Sequence, residues 1–307
     1  WDTNAATAGS GNAAGTWDSG TNWSTDSTGA SATTAWVDGE SAVFSAGTDG
    51  TGGYTVTLAG TISTPSILVE EAGAKTIAGG TINIGGGTIT TAAAGTGNTF
   101  TISSILAGSG GLTVAANGDM SDTGGGAGGM LVLSGASTFT GDVTLTSGLV
   151  RFNSSFGDSA NKIILNGGGL LDNNLNLTST RNIEVGASGG TIRLYGSATT
   201  NLNGSISNAS GVLSASLKHT DGGTLRLGGS GAGYTGTFTN ARGNIQLVTT
   251  NWAGMDLVNT DGSTFTVVST GDTTIKSLTS DRDVQIPSGG RLNISSGNYT
   301  AADGAGM

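Results

Sequence analysis

Residues 131–150 read LVLSGASTFTGDVTLTSGLV, and residues 225–245 read LRLGGSGAGYTGTFTNARGNI. Both stretches contain an apolar-x-apolar run with a glycine close behind it, then an aromatic residue followed by Thr-Gly. A further glycine stands seven residues after the glycine of Thr-Gly. The copies lie about 95 residues apart. The positions that define the repeat are Leu133, Phe139, Gly141, Gly148, Leu227, Tyr234, Gly236 and Gly243. A recurring unit with an aromatic residue, a turn and two strands at fixed offsets is typical of a stacked solenoid, whereas a two-sheet sandwich has no reason to repeat it.

Short runs that alternate apolar and small polar residues continue along the chain, for example at residues 54–58, 81–84, 191–194 and 292–294. Such alternation predicts strands with one inward face, and the glycines that close the runs supply corners with positive φ. No window shows the i, i+3, i+4, i+7 pattern of an amphipathic helix. A glycine-closed unit recurs about every 20–25 residues, which suits a β-sandwich or a parallel β-helix. Because the internal repeat favours the solenoid, we predict an all-β parallel β-helix.

Small side chains dominate the composition, since the 307 residues include 57 Gly, 48 Thr and 35 Ser. Only 10% of residues are charged, against about 25% in an ordinary globular domain. Columns of Thr, Val and Ile stacked along one axis explain how such a chain folds, because each side chain packs on its equivalents above and below.

The composition also excludes several classes of site. The absence of cysteine rules out disulfides, thiolate metal sites and a cysteine nucleophile, and a single histidine, His219, rules out zinc sites with two or three imidazoles. A net charge of -10 with scattered Lys and Arg argues against nucleic acid as a partner. No apolar run approaches the ~20 residues of a membrane span, so we expect no membrane insertion by this segment. We interpret the start at Trp1, without Met, as a mature form after signal-peptide removal.

Two glycine-containing motifs resemble catalytic or phosphate-binding signatures. Residues 186–190 match G-x-S-x-G, and His219 with Asp221 would complete a triad. That motif requires a helix after the nucleophile, and no helix is predicted there. Residues 124–129 match G-x-G-x-x-G but lie in a glycine tract without a following helix. We therefore interpret both as turns.

Several pairs of acidic residues are candidates for a hydrolase, lyase or calcium site. Asp38 with Glu40 and Asp281 with Asp283 would each share a strand face, as a β-helix polysaccharide lyase or hydrolase would need, but solvated surface charge explains them equally simply. Calcium would need a series of oxygen ligands, which the candidate loops lack. Those loops contain Asp119 with Asp122 and Asp256 with Asp261. We expect no catalytic residue, no cofactor and no metal.

The repeat resembles the autotransporter-associated β-strand repeat of bacterial surface and secreted proteins. The N-terminal stretch, with Trp17, Trp23 and Trp36 followed by residues 42–44 and 54–56, is similar to the Trp-rich opening that commonly precedes such repeats. The resemblance extends from Trp17 to about Leu247. It implies a right-handed parallel β-helix that is exported to the cell exterior as a passenger or stalk region.

We predict three segments: a Trp-rich N-terminal cap or docking region at residues 1–45, the parallel β-helix at 46–297, and a C-terminal tail at 298–307. The predicted function is a non-enzymatic extracellular or cell-surface structural solenoid, a subunit of a head-to-tail fibre or a stalk with copies of itself as partner. The alternative is an adhesin passenger that binds surface or environmental glycans, and a polysaccharide lyase or hydrolase is the third interpretation. The candidate residues for glycan or subunit contact are Trp17, Trp23, Trp36 and Tyr299.

Overall fold

The computed structural model describes residues 1–4, 7–91, 99–118, 120, 130–151, 156–173 and 177–301. Within these ranges the secondary structure consists of strands, turns and bends, with no helix. Accordingly, nothing in the described ranges is a helix with the length and apolarity that crossing a membrane demands. The chain divides into two compact units, residues 1–119 with 125–161 and residues 120–124 with 162–307.

The first unit is built from short strands that pair in parallel. They are β1 (Gly15–Thr16), β2 (Ala42–Phe44), β3 (Tyr54–Ser63), β4 (Ser66–Val69), β5 (Lys75–Asn83), β6 (Thr88–Thr91), β7 (Phe100–Ile102), β8 (Ile105–Ala107), β9 (Leu112–Ala115), β10 (Leu131–Leu133), β11 (Val143–Ser147) and β12 (Leu149–Arg151). One sheet has the order β1-β3-β5-β7-β10-β12, with β8 also paired to β5, and a second has the order β2-β4-β6-β9-β11.

The second unit continues the same construction. Its strands are β13 (Ile163–Leu165), β14 (Gly169–Asn173), β15 (Thr178–Ser179), β16 (Ile183–Val185), β17 (Gly190–Tyr195), β18 (Thr199–Leu202), β19 (Ile206–Asn208), β20 (Ala215–Thr220), β21 (Thr224–Leu227), β22 (Gly236–Asn240), β23 (Asn244–Leu247), β24 (Asn251–Asn259), β25 (Thr264–Val267), β26 (Asp272–Ser280), β27 (Val284–Gln285), β28 (Arg291–Ile294) and β29 (Tyr299–Ala301). The sheet orders are β14-β17-β20-β22-β24-β26-β28, with β29 also on β26, then β13-β16-β19, and β15-β18-β21-β23-β25-β27.

Parallel register stacks equivalent side chains into columns along each unit. In the second unit, Leu217 pairs with Phe238, Phe238 with Leu257, and Leu257 with Leu278. None of these four side chains is more than 1% exposed. Complete burial of each contributes about 1.5–3 kcal/mol, so this unit obtains a continuous core from few large hydrophobic residues. The predicted all-β parallel β-helix is confirmed.

Each copy of the sequence repeat forms one coil. Leu131 pairs with Val150, and Leu225 pairs with Ile245, so the coils are 19 and 20 residues long. The first and third strands of a copy are neighbours in one sheet, β10 beside β12 and β21 beside β23, while the middle strand lies in another sheet. The spacing within the sequence repeat therefore corresponds to one complete circuit of the solenoid.

The glycines of the repeat occupy corners that other residues tolerate poorly. All four have positive φ, with 135° at Gly236 and 62° at Gly148. A Cβ at Gly236 would overlap the carbonyl oxygen of Ala215 on the preceding coil, and one at Gly148 would overlap that of Ala116. Backbone crowding between coils, added to the positive φ, explains why glycine recurs there.

Candidate functional site

Residues of the Trp-rich N-terminal segment cover one edge of β3. The short strand β1 pairs with β3, and the Trp17 amide continues this ladder by donating to the Thr57 carbonyl at 2.8 Å. The ladder then passes to a side chain, because the Asp18 carboxylate accepts hydrogen bonds from the amides of Ala59 at 3.1 Å and Gly60 at 2.5 Å. A carboxylate that accepts from free backbone amides caps the strand edge electrostatically.

A second aspartate caps the end of the same strand. Asp38 Oδ1 accepts from the Ser63 amide at 2.8 Å and from the Trp36 indole N–H at 2.9 Å, and the Gly39 amide donates to the Ser63 carbonyl at 2.9 Å. Asp38, a candidate for polysaccharide chemistry in the sequence, thus holds the strand edge and positions one tryptophan. Backbone groups that would otherwise template pairing with another chain are satisfied within the molecule.

Aromatic rings of the segment pack into one cluster, consisting of Trp1, Trp17, Trp23, Trp36 and Phe44. Ring centroids in contact lie 4.6–5.6 Å apart, with the shortest distance between Trp23 and Trp36. Trp17 is fully buried, Trp1 and Trp23 are 4% and 6% exposed, and Trp36 is half-buried. Trp17 is therefore a packing residue, and Trp36 is the predicted contact residue of this cluster that presents the most surface.

Beside the cluster lies a pocket of about 380 Å³. Trp1, Trp23 and Trp36 form its aromatic wall. Its other lining residues include four acidic residues and no Lys, Arg or His among the described residues of the wall. The acidic residues are Asp2, Asp26, Glu40 and Glu70. The pocket combines flat apolar surface with a strongly negative rim.

Two buried polar atoms at this pocket have no hydrogen-bond partner among the described residues, namely Asp2 Oδ2 and Ser10 Oγ. The residues are only 2% and 1% exposed. The other Asp2 oxygen accepts from the Asn4 amide at 3.0 Å. Desolvation by burial raises the pKa of the Asp2 carboxyl above its ordinary value. Asp2 Oδ2 is therefore a buried hydrogen-bond acceptor without a donor among the described residues.

The rim is shaped by Asp26. Its carboxylate accepts from Thr28, through both the amide at 2.9 Å and the hydroxyl at 2.8 Å, from the Ala30 amide at 3.2 Å, and from the Ser31 hydroxyl at 3.0 Å. The hydrogen bonds from Thr28 are the main reason that the pKa of Asp26 lies below its ordinary value. Asp26 thereby closes the turn on one side of the pocket and stays ionised.

The remaining predicted residues are placed as follows. Tyr299 is half-buried in β29 of the second unit, where it pairs in register with Leu278. The structure thus brings Trp17, Trp23 and Trp36 together in the first unit. The repeat residues Leu133, Phe139, Leu227 and Tyr234 lie in the core, with at most 2% exposure.

Trp1, Asp2 and Ser10 were not predicted as site residues. The tryptophan content of the segment could have drawn attention to Trp1. No sequence signal marks Asp2 or Ser10, because their burial in the pocket wall depends on the tertiary structure.

The candidate triad is not assembled among the described hydrogen bonds. Asp221 Oδ2 accepts from Arg193 Nε at 2.9 Å, and His219 Nδ1 is hydrogen-bonded to Asn240 Oδ1 at 2.8 Å. Ser188 lies exposed on a turn. The imidazole nitrogen that would face the aspartate in a triad is thus bonded to Asn240, and Asp221 is bonded to Arg193 instead.

Two of the calcium candidates, Asp256 and Asp261, lie beside basic residues. Asp256 Oδ2 lies 2.6 Å from Lys276 Nζ, and Asp256 Oδ1 accepts from the Ser277 hydroxyl. Asp261 Oδ2 lies 3.7 Å from Arg242 Nε. Within the described ranges there is no group of three or more His, Asp or Glu arranged to hold a metal ion. Three further candidates, Asp119, Asp122 and the glycine tract 124–129, lie outside the described residues.

Comparison with known proteins relates the chain to surface proteins. Over 179 residues, 55% of this chain, it is 37% identical to the adhesin BmaC autotransporter of Brucella suis biovar 1 (strain 1330). The matched stretch spans about 5% of that adhesin's length. No family model and no solved structure matches the chain. Together with the parallel solenoid, the similarity confirms the resemblance to an autotransporter-associated β-helical passenger.

Proposed function

We propose that this chain is an extracellular segment of an adhesin-type passenger and that its solenoid is the structural scaffold of that segment. The observation that carries the proposal is the parallel, register-stacked coil architecture in a chain 37% identical to an autotransporter adhesin over 55% of its length. Stacked coils supply length and regular surface from small side chains, which suits a stalk.

A non-enzymatic role is part of this proposal. It is supported by the engagement of two catalytic candidates, since Asp38 caps a strand edge and Asp221 binds Arg193. A glycosidase or lyase would need carboxylates free to meet a substrate.

Labelling of intact cells tests the location. Antibody raised against the purified chain should label intact cells of the source bacterium, and added protease should remove the label. Labelling only after permeabilisation would refute an extracellular location. An antibody against a cytoplasmic protein is the control for cell integrity.

Assembly into a head-to-tail fibre is the finer part of the proposal. Because Asp18 and Asp38 occupy the edge of β3, a contact at this edge would use side chains of the N-terminal segment rather than added strand pairing. Light scattering coupled to size-exclusion chromatography, with negative-stain imaging, should show concentration-dependent filaments. A monomer at every concentration would refute the fibre and leave the scaffold intact.

A second candidate function, glycan binding, is favoured by the aromatic pocket in the first unit. Tryptophan beside polar groups is a platform for sugar rings. On a glycan array, Trp36→Ala should lose signal because Trp36 is the half-buried ring of the wall. Tyr195→Ala is the matched control, since Tyr195 is 38% exposed on the second unit and should leave binding unchanged. Equal binding by both variants and the parent would contradict a site at this pocket.

A further inference from the structure

We propose that the pocket beside the tryptophan cluster binds a sugar ring that carries a protonated amino group, that is, a hexosamine unit without an N-acetyl group. The inference rests on the second candidate function, glycan binding, and adds the chemical class of the ligand.

The charge of the wall selects against acidic sugars. The pocket is lined by Asp2, Asp26, Glu40 and Glu70, and its described wall contains no cationic side chain. The amino group of Trp1 donates to the Val43 carbonyl at 2.6 Å, and desolvation by burial lowers its pKa to about 5, so it does not neutralise this wall at pH 7. A uronic acid, a sialic acid or a sulfated sugar would place its charge among like charges, whereas an ammonium group is attracted. A neutral sugar can donate hydroxyl hydrogen bonds to these carboxylates but lacks the charge attraction of an ammonium group.

Two residues of the pocket wall also carry buried polar atoms without a partner in the described part of the chain. Asp2 Oδ2 is buried and lacks a donor among the described residues, and the same holds for Ser10 Oγ on the pocket wall. Burying a carboxylate oxygen without a donor is costly, and a charge-assisted N–H···O bond is among the strongest remedies. An ammonium has three donors, so it can serve Asp2 and a neighbouring oxygen together.

The aromatic wall requires a ring as well as a charge. The exposed part of Trp36 offers a face on which the C–H surface of a sugar ring can lie, and an ammonium near the indoles gains cation–π attraction. The volume of about 380 Å³ is near the lower end of small-ligand sites, which begin at about 300 Å³. One or two sugar rings fit this size, and a long chain within the pocket does not.

The test compares probes that differ in one group. Binding would be measured by quenching of tryptophan fluorescence and by calorimetry, at a pH below the pKa of the ligand amines. The probes are the glucosamine disaccharide, its N-acetylated counterpart and lysine methyl ester. We expect the free-amine sugar to bind at least about tenfold more tightly than either other probe.

Variants locate the site. Asp2→Asn and Glu40→Gln should each weaken binding of the glucosamine disaccharide, with the larger loss, about tenfold or more, at Asp2. Glu40 is exposed, so its variant keeps the test valid if Asp2→Asn destabilises the segment. The matched control is Glu71→Gln, which makes the same charge change outside the pocket wall and should leave binding unchanged.

The outcomes separate the two proposals. Equal or tighter binding of the N-acetylated sugar, with loss on Trp36→Ala, would overturn the amine requirement and leave glycan binding standing. Binding of lysine methyl ester as tight as that of the sugar would overturn the requirement for a ring. No binding of either sugar would overturn this inference, while the glycan array still decides glycan binding as such.

Discussion

Replacing His219 by asparagine removes the titratable member of a buried polar column in the second unit. His219, Asn240, Asn259 and Ser280 are register neighbours on β20, β22, β24 and β26. Their side chains are hydrogen-bonded in sequence at 2.8, 2.7 and 3.1 Å. Asparagine at 219 would retain an amide for Asn240 and lose the imidazole proton site. The replacement therefore isolates the effect of protonation on stability.

The magnitude follows from the pKa of His219. Desolvation by burial lowers this pKa from 6.5 to about 4, against the opposing effects of the Asn240 hydrogen bond and the Asp221 charge. Between these two values the unfolded chain binds a proton that the folded chain does not, so acid favours unfolding. Stability is fully present above pH 6.5 and is lost as the pH falls towards 4. The gap between a pKa of 6.5 in the unfolded chain and about 4 in the folded chain corresponds to about 3 kcal/mol of folding free energy.

The assay is equilibrium unfolding of both proteins in urea at several pH values, followed by circular dichroism. The parent chain should lose about 3 kcal/mol more than His219→Asn between pH 7 and pH 4, because titration of the carboxylates is common to both. Asn240→Ala is the control: it should destabilise the fold through the broken column and keep a pH dependence at least as steep as the parent's, because the Asn240 hydrogen bond opposes the lowering of the His219 pKa. If the parent and His219→Asn change in parallel with pH, the imidazole does not titrate between 6.5 and 4, and the reasoning fails.

Three further substitutions test the corner, the edge cap and the aromatic position. Gly236→Ala should lower the free energy of unfolding by about 3 kcal/mol, because the added Cβ overlaps a backbone oxygen at a position with positive φ. Gly211→Ala is the control, with a positive φ but open space around the Cβ, and it should cost about 1 kcal/mol. Equal losses in the two variants would refute the overlap. Asp18→Ala should cost about 1–2 kcal/mol and Asp272→Ala less than about 0.5 kcal/mol in the same urea titration, because only the first caps backbone amides; a neutral Asp18→Ala would contradict the capping role. Tyr234→Phe should cost about 1 kcal/mol by thermal unfolding, since the one hydroxyl proton of Tyr234 is shared between the backbone carbonyls of Ala215 and Thr237. An unchanged midpoint would show that this hydrogen bond adds nothing.

The sequence predicts the strands well because their signal is local. Period-2 alternation depends only on neighbouring residues, and it is reproduced in the burial of β21 and β23, where alternate residues are buried. The repeat glycines are predictable for the same reason, since a positive φ is a property of one residue.

The buried polar column illustrates what local patterns cannot supply. Asn240 and Asn259 each end a strand with an ordinary alternating pattern, and asparagine there also suits a turn. Their burial depends on register between coils, because the side chains meet only when successive strands align residue for residue. No property of either sequence neighbourhood contains that alignment.

The candidate site, too, is partly predictable from the sequence and partly decided by the tertiary structure. The tryptophans are conspicuous in the sequence, but their exposure ranges from a fully buried Trp17 to a half-buried Trp36. That difference decides which ring can meet a ligand. Asp18 and Asp38 are indistinguishable from surface charge until the edge of β3 is placed beside them.

Sequence alone therefore determined that the chain forms short strands turned by glycine, because alternation and positive φ are properties of adjacent residues, and the repeat at fixed offsets added that these strands stack as a parallel solenoid. Tertiary structure alone decided which polar groups are satisfied, since Asp2, Asp18 and His219 acquire their roles from residues tens of positions away or from a neighbouring coil. The physical reason is that burial and hydrogen bonding are properties of neighbours in space, and in a solenoid most of these neighbours lie one circuit distant along the chain.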